Sequence, residues 1–178
     1  MRNTRLQSAL QSEISDWFNT LEPVDPEDMI GLWKGSGHPS GHPLDGVLEN
    51  LHWFGKRFHP DMRADALLFE GDPGKIVAIE PAFFPIRWAV RFAGFGRTAR
   101  ALNLFSHLRP RLRARGTTAS LQQRLDEGVL TASMVYDRQP IIDHFRRADD
   151  IVYGKMVVEG DPRRYFFRLQ KIDDGQPK

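Results

Sequence analysis

The chain has 178 residues, of which 40% are hydrophobic and 27% are charged, a composition typical of one folded globular domain. It contains no cysteine, which excludes disulfides, thiolate nucleophiles and cysteine-ligated metal or iron–sulfur sites. No apolar run approaches the ~20 residues that a membrane-spanning helix needs. The first residues also lack the order of a secretory leader, so we expect a cytoplasmic protein.

Charge is distributed unevenly along the chain. The net charge is only +2, but residues 81–125 contain nine arginines and no acidic residue. The other 16 basic and 23 acidic residues leave the rest of the chain at −7. Such a split creates a local field that attracts anions although the total charge is close to neutral.

The first predicted element is an amphipathic helix over residues 3–21. Its apolar residues recur at spacings of three and four, which places them in one stripe; they are Leu6, Leu10, Ile14, Trp17, Phe18 and Leu21. An acidic link with two prolines, residues 22–28, ends the pattern. We therefore expect residues 1–22 to pack as a helix on a single main domain formed by residues 23–178.

Short apolar segments separated by turn residues follow the link. They predict eight strands, at residues 30–37, 53–59, 64–70, 75–80, 86–93, 129–136, 151–159 and 164–172. Helical spacing or an initial proline predicts helices at 43–51, at 97–109 and from Pro140 onward.

The order of these elements indicates the fold class. Regular strand–helix alternation is missing, which argues against a doubly wound sheet. Many short strands joined by turns favour a mainly β protein with short helices, an antiparallel, roughly eight-stranded, lipocalin-like (calycin-type) barrel. The interior of an eight-stranded barrel has room for side chains or for one small ligand.

Two regions carry a family resemblance. The N-terminal half, residues 23–80, resembles the bacterial GXWXG family through GLWKG at 31–35 and the stretches 41–48 and 53–58. The C-terminal half, residues 125–172, resembles the domain of unknown function that follows GXWXG, through MVYDRQPIIDHFR from Met134. The glycine–tryptophan opening is also similar to that of lipocalins, fatty-acid-binding proteins and nitrobindin-type haem barrels. The resemblance implies a barrel but no particular activity.

The first functional hypothesis is that the barrel binds a small hydrophobic or amphipathic ligand. Its candidate aromatic walls are Trp33, Trp53, Phe58, Trp88, Tyr153 and Phe167, and its candidate polar anchors are His42, Lys56, Arg57 and Tyr136. Lys56 and Arg57 are neighbours on one strand, so alternation sends them to opposite faces. The inward cation could bind a carboxylate of the ligand. For Trp33 the alternative is to fill one end of the barrel, with its N–H on an acceptor.

The second hypothesis is a cofactor-independent isomerase, lyase or cyclase in the same cavity, and the sequence does not decide between an enzyme and a binding protein. The candidate acid–base residues are His42, Tyr136, Asp137 and Asp143. The structural alternative is that Asp137 caps the helix predicted at Pro140 and that Asp143 pairs with Arg146 on it.

No cofactor is required by either hypothesis. The histidine spacing does not predict a metal site, because Pro39 and Gly41 interrupt the helical geometry that would pair His38 with His42. A haem with His42, His107 or His144 as its axial ligand is a further alternative.

The arginine-rich segment 87–115 has three interpretations. It could be a solvated lid, a basic amphipathic helix on an anionic membrane surface, or a nucleic-acid-binding surface. Nucleic acid is disfavoured, because the chain has no recognisable nucleic-acid motif and is acidic elsewhere. Nothing in the sequence indicates the oligomeric state.

Overall fold

Within residues 2–71 and 74–172, the part of the chain that the computed structural model describes, ten strands form one antiparallel sheet. The strands are β1 (Glu22–Pro23), β2 (Gly31–His38), β3 (Trp53–Phe58), β4 (Arg63–Glu70), β5 (Ile76–Ala78), β6 (Ala119–Asp126), β7 (Val129–Tyr136), β8 (Ile141–Ala148), β9 (Ile151–Val158) and β10 (Arg164–Lys171). The helices are α1 (Arg2–Asn19), α2 (Val47–Asn50), α3 (Ile86–Arg91), α4 (Ala93–Gly96) and α5 (Ala99–Leu108).

Eight of the strands close into a barrel. Each of β2, β3, β4, β6, β7, β8, β9 and β10 pairs with the next, and β10 closes the ring by pairing with β2. The mainly β, closed antiparallel eight-stranded barrel predicted from the sequence is confirmed. β1 and β5 lie outside this ring and pair with β8 and β4 respectively.

The ring has one short seam, between β4 and β6. Only two residue pairs join these strands, Arg63 with Ser120 and Ala64 with Ala119. The far half of β4 pairs with β5 instead, and helices α3, α4 and α5 follow β5 in the chain before β6 begins. The helices therefore lie in the connection across the seam, where they cover one end of the barrel.

Helix α1 packs on the outside of the barrel, as its apolar stripe predicts. Ile14 and Phe18 are buried against Phe166, and the Phe18 and Phe166 ring centroids lie 5.7 Å apart. Trp17 stacks on His38 and meets the edge of Tyr153. None of the helices in the described residues is long and apolar enough to cross a membrane.

Two glycines make room for aromatic rings inside the barrel. A Cβ atom at Gly35 would lie 2.3 Å from the Trp53 ring, and one at Gly154 would lie 2.1 Å from the Phe167 ring. Both distances are below any real contact, so the rings can lie flat on the strands only because these positions lack side chains. The two rings meet edge to face at 5.8 Å.

Two predicted elements are wrong in type. Residues 86–93, predicted as a strand, form α3 and the start of α4, because this segment pairs with no strand in the described part of the chain and buries only Ile86 and Ala93. The residues after Pro140, predicted as a helix, form β8, because β7 and β9 both pair with this segment. β6 was not predicted at all. The predicted number of eight barrel strands is therefore correct, but the predicted segments 75–80 and 86–93 stand in the place of β6 and β8.

Candidate functional site

A cavity lies inside the barrel, at the end that the helices cover. Its volume is about 100 Å³, measured as the space open to the centre of a water molecule. One water needs roughly 10–15 Å³ on this measure, so the cavity has room for a small organic molecule. Its wall is apolar apart from a few polar groups, which belong to Trp53, Lys56, Tyr136, Gln139, Asp143 and Tyr165.

Three neighbouring polar side chains meet in this cavity. Lys56 points inward from β3, Tyr136 from the end of β7 and Asp143 from β8. Lys56 Nζ lies 2.9 Å from Asp143 Oδ2 and donates to the Tyr136 hydroxyl at 3.3 Å. The Tyr136 hydroxyl in turn donates to Asp143 Oδ2 at 3.4 Å. Lys56 and Asp143 are 2% and 1% exposed, so water does not screen the pair.

All three protons of the Lys56 ammonium have acceptors. Besides Asp143 and Tyr136, the third acceptor is the carbonyl oxygen of Ala66, at 3.0 Å. A lysine has three donors and no acceptor, so this ammonium has no donor left for a further partner. Aromatic rings surround it as well, with the Phe167 centroid 5.0 Å from Nζ. The ion pair with Asp143 leaves this group of side chains without net charge.

The environment keeps both cavity tyrosines protonated. Burial, and next the nearby Asp143 carboxylate, raise the pKa of Tyr136 well above 10.0. Burial also raises the pKa of Tyr165 well above 10.0, with Glu49 as the next contribution. Each phenol is therefore a neutral O–H group at ordinary pH, able to donate a hydrogen bond.

Three polar atoms of the cavity wall have no hydrogen-bond partner among the described residues. They are the indole Nε1 of Trp53, Oδ1 of Asp143 and the hydroxyl of Tyr165. Buried polar groups are nearly always paired, and an unpaired one costs about 1–3 kcal/mol. The residues that line the cavity thus retain one unused acceptor and two unused donors, although these atoms are buried and the cavity surface itself is apolar.

The structure brings together five of the residues selected from the sequence. The cavity wall contains Trp53, Lys56, Tyr136, Asp143 and Phe167. The alternation argument for β3 holds, because the side chain of Lys56 is 2% exposed inside the barrel whereas that of the next residue, Arg57, is 42% exposed.

Two further candidates belong to the barrel core but not to the cavity wall. Trp33 and Phe58 are 4% and 1% exposed and pack within the main core. The indole N–H of Trp33 donates to the carbonyl of Met29 at 2.6 Å, which is the acceptor that its burial requires. Trp33 therefore fills the core, the alternative considered for it above.

The other aromatic and charged candidates lie outside the barrel interior. Trp88 is 63% exposed on α3, and Tyr153 packs beneath α1 against Trp17. Asp137 follows β7 on the surface, where it pairs with Arg63.

His42 lies in the loop after β2 rather than in the barrel cavity. Its Nδ1 accepts from the backbone N–H of Leu44, and its ring lies 5.6 Å from the Tyr165 ring. Burial, and next the nearby Arg163, lower the pKa of His42 from 6.5 to about 4. The side chain is thus neutral near pH 7 and holds the loop against the barrel.

The change of β8 from a predicted helix to a strand separates two residues that were expected to pair. Alternation turns Asp143 into the cavity and Arg146 to the outside. Arg146 there approaches Asp126, which also lies 2.9 Å from Lys155 and 3.8 Å from His144. The Phe18 ring of α1 covers this outer cluster, 5.1 Å from the Lys155 ammonium.

None of the three histidines considered as haem ligands belongs to the cavity wall. His42 lies in its loop, His144 is in the outer cluster, and the exposed His107 bonds to the carbonyl of Asn103 on α5. The described cavity wall offers no imidazole to a haem iron, so the residues present do not fit this group.

Sequence reasoning missed two polar residues of the cavity. Tyr165 lies two residues before Phe167 on β10, so the period of a strand places both on one face and could have identified it. Gln139 follows β7, and its amide donates to the carbonyl of Pro81 at 2.8 Å. No sequence signal indicates that contact, because it joins two distant loops.

Comparisons with known proteins agree with both halves of the chain. A model of the GXWXG protein family matches residues 16–74, and a model of a domain of unknown function, DUF4334, matches residues 117–171. A search of the curated proteins finds no match. The fold is similar to the crystal structure of a protein from Thermomonospora curvata, with 27% sequence identity and a TM-score of 0.66 over 96% of this chain and 98% of that one.

Proposed function

We propose that the barrel of this chain, whose two halves match the GXWXG and DUF4334 family models, binds a small, largely apolar and uncharged molecule that carries a neutral hydrogen-bond donor such as a hydroxyl group. The observation that carries this proposal is an apolar cavity in which three of the lining residues have a buried polar atom without a hydrogen-bond partner among the described residues. Ligand sites are usually apolar with a few convergent polar groups that fix orientation.

The charge of the ligand follows from the Lys56–Asp143 pair. A carboxylate ligand would need a free cation, but the Lys56 ammonium already has three acceptors. A carboxylate would also meet the unpartnered Oδ1 of Asp143 and be repelled by it. A neutral ligand that donates to this oxygen would satisfy it and cost little desolvation. The proposal therefore replaces the carboxylate expected from the sequence with a neutral donor.

The first experiment compares the native and denatured mass of the freshly purified protein. An additional mass that disappears on denaturation supports the proposal, and its value gives the size of the bound molecule. Titrations with 2-naphthol, naphthalene and 2-naphthoate then test the chemistry. We expect 2-naphthol to bind at least about tenfold more tightly than 2-naphthoate, a difference of about 1.4 kcal/mol. Equal or tighter binding of 2-naphthoate would contradict the proposal.

Variants that fill the cavity show whether binding takes place there. Leu48→Trp and Leu67→Phe add volume to two positions in the cavity wall, so both should lose most of the 2-naphthol affinity. Leu130→Ala is the matched control, because Leu130 is 54% exposed on β7 and should leave binding unchanged. Binding that survives both filling variants in folded protein would place the ligand elsewhere.

A second candidate function is proton transfer in the same cavity. The unpartnered carboxylate oxygen of Asp143 could take a proton from a carbon next to a carbonyl. The free N–H of Trp53 and O–H of Tyr165 could stabilise the resulting enolate oxygen. Return of the proton to another carbon would complete an isomerisation without a cofactor. Of the four candidate catalytic residues, Tyr136 and Asp143 line the cavity, whereas His42 and Asp137 do not.

Deuterium exchange separates catalysis from binding. Under this second candidate, the wild-type protein in D₂O should incorporate deuterium next to the carbonyl of 1-tetralone faster than buffer does, and Asp143→Asn should not. Exchange at the buffer rate, combined with retained 2-naphthol binding, would leave the binding function and reject the enzyme.

A further inference from the structure

An apolar groove lies on the outside of the helical connection between β5 and β6. Large side chains along it are unusually exposed, by 63% at Trp88, 51% at Phe92, 48% at Phe95 and 51% at Leu104. They line a single groove of about 300 Å³ on the measure used for the cavity. Contiguous exposed apolar surface of this kind marks an interaction site.

The local structure turns these side chains outward. Trp88 of α3 and Phe92, which directly follows this helix, are four residues apart and stack with ring centroids 5.6 Å apart. On α5, Ala101, Leu104 and Phe105 all line the groove, but Ala101 and Phe105 are buried whereas Leu104 is 51% exposed. The helices thus bury one apolar face and present a second one that the barrel does not cover.

Exposed arginines flank the groove. Arg87 and Arg91 adjoin Trp88 and Phe92 on α3, and Arg100 precedes Leu104 by one turn of α5. In residues 2–71 and 74–172, no carboxylate lies within 4.0 Å of any of these three guanidinium groups. Residues 81–125 also contain no acidic residue at all. The surface is therefore apolar at its centre and positive at its edge.

We propose that helices α3, α4 and α5 dock on an anionic phospholipid membrane. The rings of Trp88, Phe92 and Phe95 would enter the boundary between headgroups and acyl chains, and the flanking arginines would bind lipid phosphates. An apolar face with aromatic residues beside arginines is the pattern of helices that lie in a membrane interface. Nucleic acid fits less well, because Leu104 and other aliphatic residues line the same groove and offer no surface for base stacking.

The groove adjoins the barrel cavity. Val47 and Phe84 belong to the walls of both, so the groove and the cavity are neighbours across these two side chains. An apolar molecule dissolved in the membrane could therefore reach the cavity without crossing water. The docking itself does not depend on the proposed ligand, because it uses a different surface.

Sedimentation with vesicles tests the docking on the full chain without added ligand. Vesicles contain either phosphatidylcholine alone or phosphatidylcholine with 30% phosphatidylglycerol. We expect at least about tenfold stronger binding to the anionic vesicles, reduced by raising salt because exposed charges are then screened. Equal binding to the two kinds of vesicle, or no binding to either, would overturn the proposal.

Variants separate the two parts of the surface. Trp88→Ser/Phe92→Ser should lose most binding at every salt concentration, and Arg87→Glu/Arg91→Glu should lose the preference for anionic lipid. The matched controls are Leu125→Ser/Leu130→Ser and Arg124→Glu, at exposed positions of β6 and β7. All positions are exposed, so thermal melts should stay close to wild type. Controls that reduce binding as strongly as the groove variants, or a single-stranded RNA that displaces the protein from vesicles, would refute the assignment.

Discussion

Two buried lysine–aspartate pairs occupy opposite sides of the barrel wall. Lys56 meets Asp143 inside the barrel and Lys155 meets Asp126 outside it, each at 2.9 Å. The outer aspartate has a second cation, because its other oxygen lies 3.5 Å from Arg146, although this oxygen accepts no hydrogen bond from the described residues. The inner aspartate has one cation, and its other oxygen has no hydrogen-bond partner among the described residues, in a side chain that lines the cavity.

This contrast separates a structural ion pair from a candidate functional one. The lengths of the two pairs are identical, so the interaction distance carries no information about function. The surroundings differ, because the outer pair is packed under Phe18 of α1 while the inner pair borders a cavity. What identifies a site is the polar atom left over beside space for a ligand.

The largest effect should come from removing one member of the inner pair. Lys56→Met leaves Asp143 buried without a cation, so the free energy of unfolding should fall by about 3–5 kcal/mol in urea titrations. Lys155→Met should cost less, because Arg146 still faces Asp126. The double variant Lys56→Met/Asp143→Leu should recover most of the loss, since no unpaired charge remains. Equal losses of stability for the two lysine variants would contradict the idea that the inner aspartate depends on one cation and the outer aspartate on two.

A pH dependence should arise at His42, in the loop after β2. The folded-state pKa of about 4 is below the ordinary 6.5, so the unfolded chain binds a proton more readily. Stability from this residue is complete above pH 6.5 and is lost as the pH falls toward 4, by about 3 kcal/mol in total. Denaturant titrations across this range measure the loss.

The control for this pH dependence is His42→Asn, whose side-chain oxygen can accept from the Leu44 backbone N–H in place of Nδ1. The variant should show a smaller loss of stability on acidification. If the free energy of unfolding of this variant falls with pH as steeply as that of the wild-type protein, another group is responsible for the pH dependence. His144 in the outer cluster is one candidate, since burial lowers its pKa as well.

A smaller effect is expected from Gly154→Ala. The new methyl group would displace the Phe167 ring toward the cavity, which should cost about 1–3 kcal/mol and weaken 2-naphthol binding. Gly94→Ala is the control, because a Cβ there meets no atom within 4 Å. Thermal melts and the naphthol titration measure both consequences. Unchanged binding with lowered stability would show that Phe167 does not shape the cavity.

The smallest effect should come from a surface pair. Arg63 bonds to Asp137 where both side chains are about one third exposed, so Asp137→Asn should change the free energy of unfolding by less than about 1 kcal/mol. Raising the salt concentration should reduce that difference further. A loss comparable to that of Lys56→Met would show that exposure does not distinguish these pairs.

Much of the barrel could be predicted from local patterns. The amphipathic stripe of α1 and the alternation in β10 follow directly from period, and both are confirmed. The wrong prediction after Pro140 has a different origin. A proline suits the start of a helix, but the residues that follow it form β8, which pairs with β7 on one side and with β9 on the other. Pairing partners override local preference, and a single sequence does not show them.

The sequence predicted several residues of the site but not how they are arranged in space. Lys56 was selected as a cation on an apolar strand, and Tyr136 and Asp143 were selected as members of a dense polar group in an otherwise apolar stretch. That they meet depends on the order of β3, β7 and β8 around the ring, which no spacing in the chain reveals. His42 and Asp137 can also act as acids or bases, but they lie in loops. His42 contacts Tyr165 and Asp137 pairs with Arg63, and both partners are distant in sequence.

The segment between β4 and β6 is inserted between two parts of the chain that together form the whole ring of strands. All eight ring strands lie within the two matched regions, 16–74 and 117–171, while residues 75–116 contribute none. Residues 75–116 can therefore be replaced by a different segment without removing a strand from the ring. Because Pro81, Phe84 and Ile86 of this segment also line the cavity, such an exchange would change the cavity wall while the ring of strands stays the same.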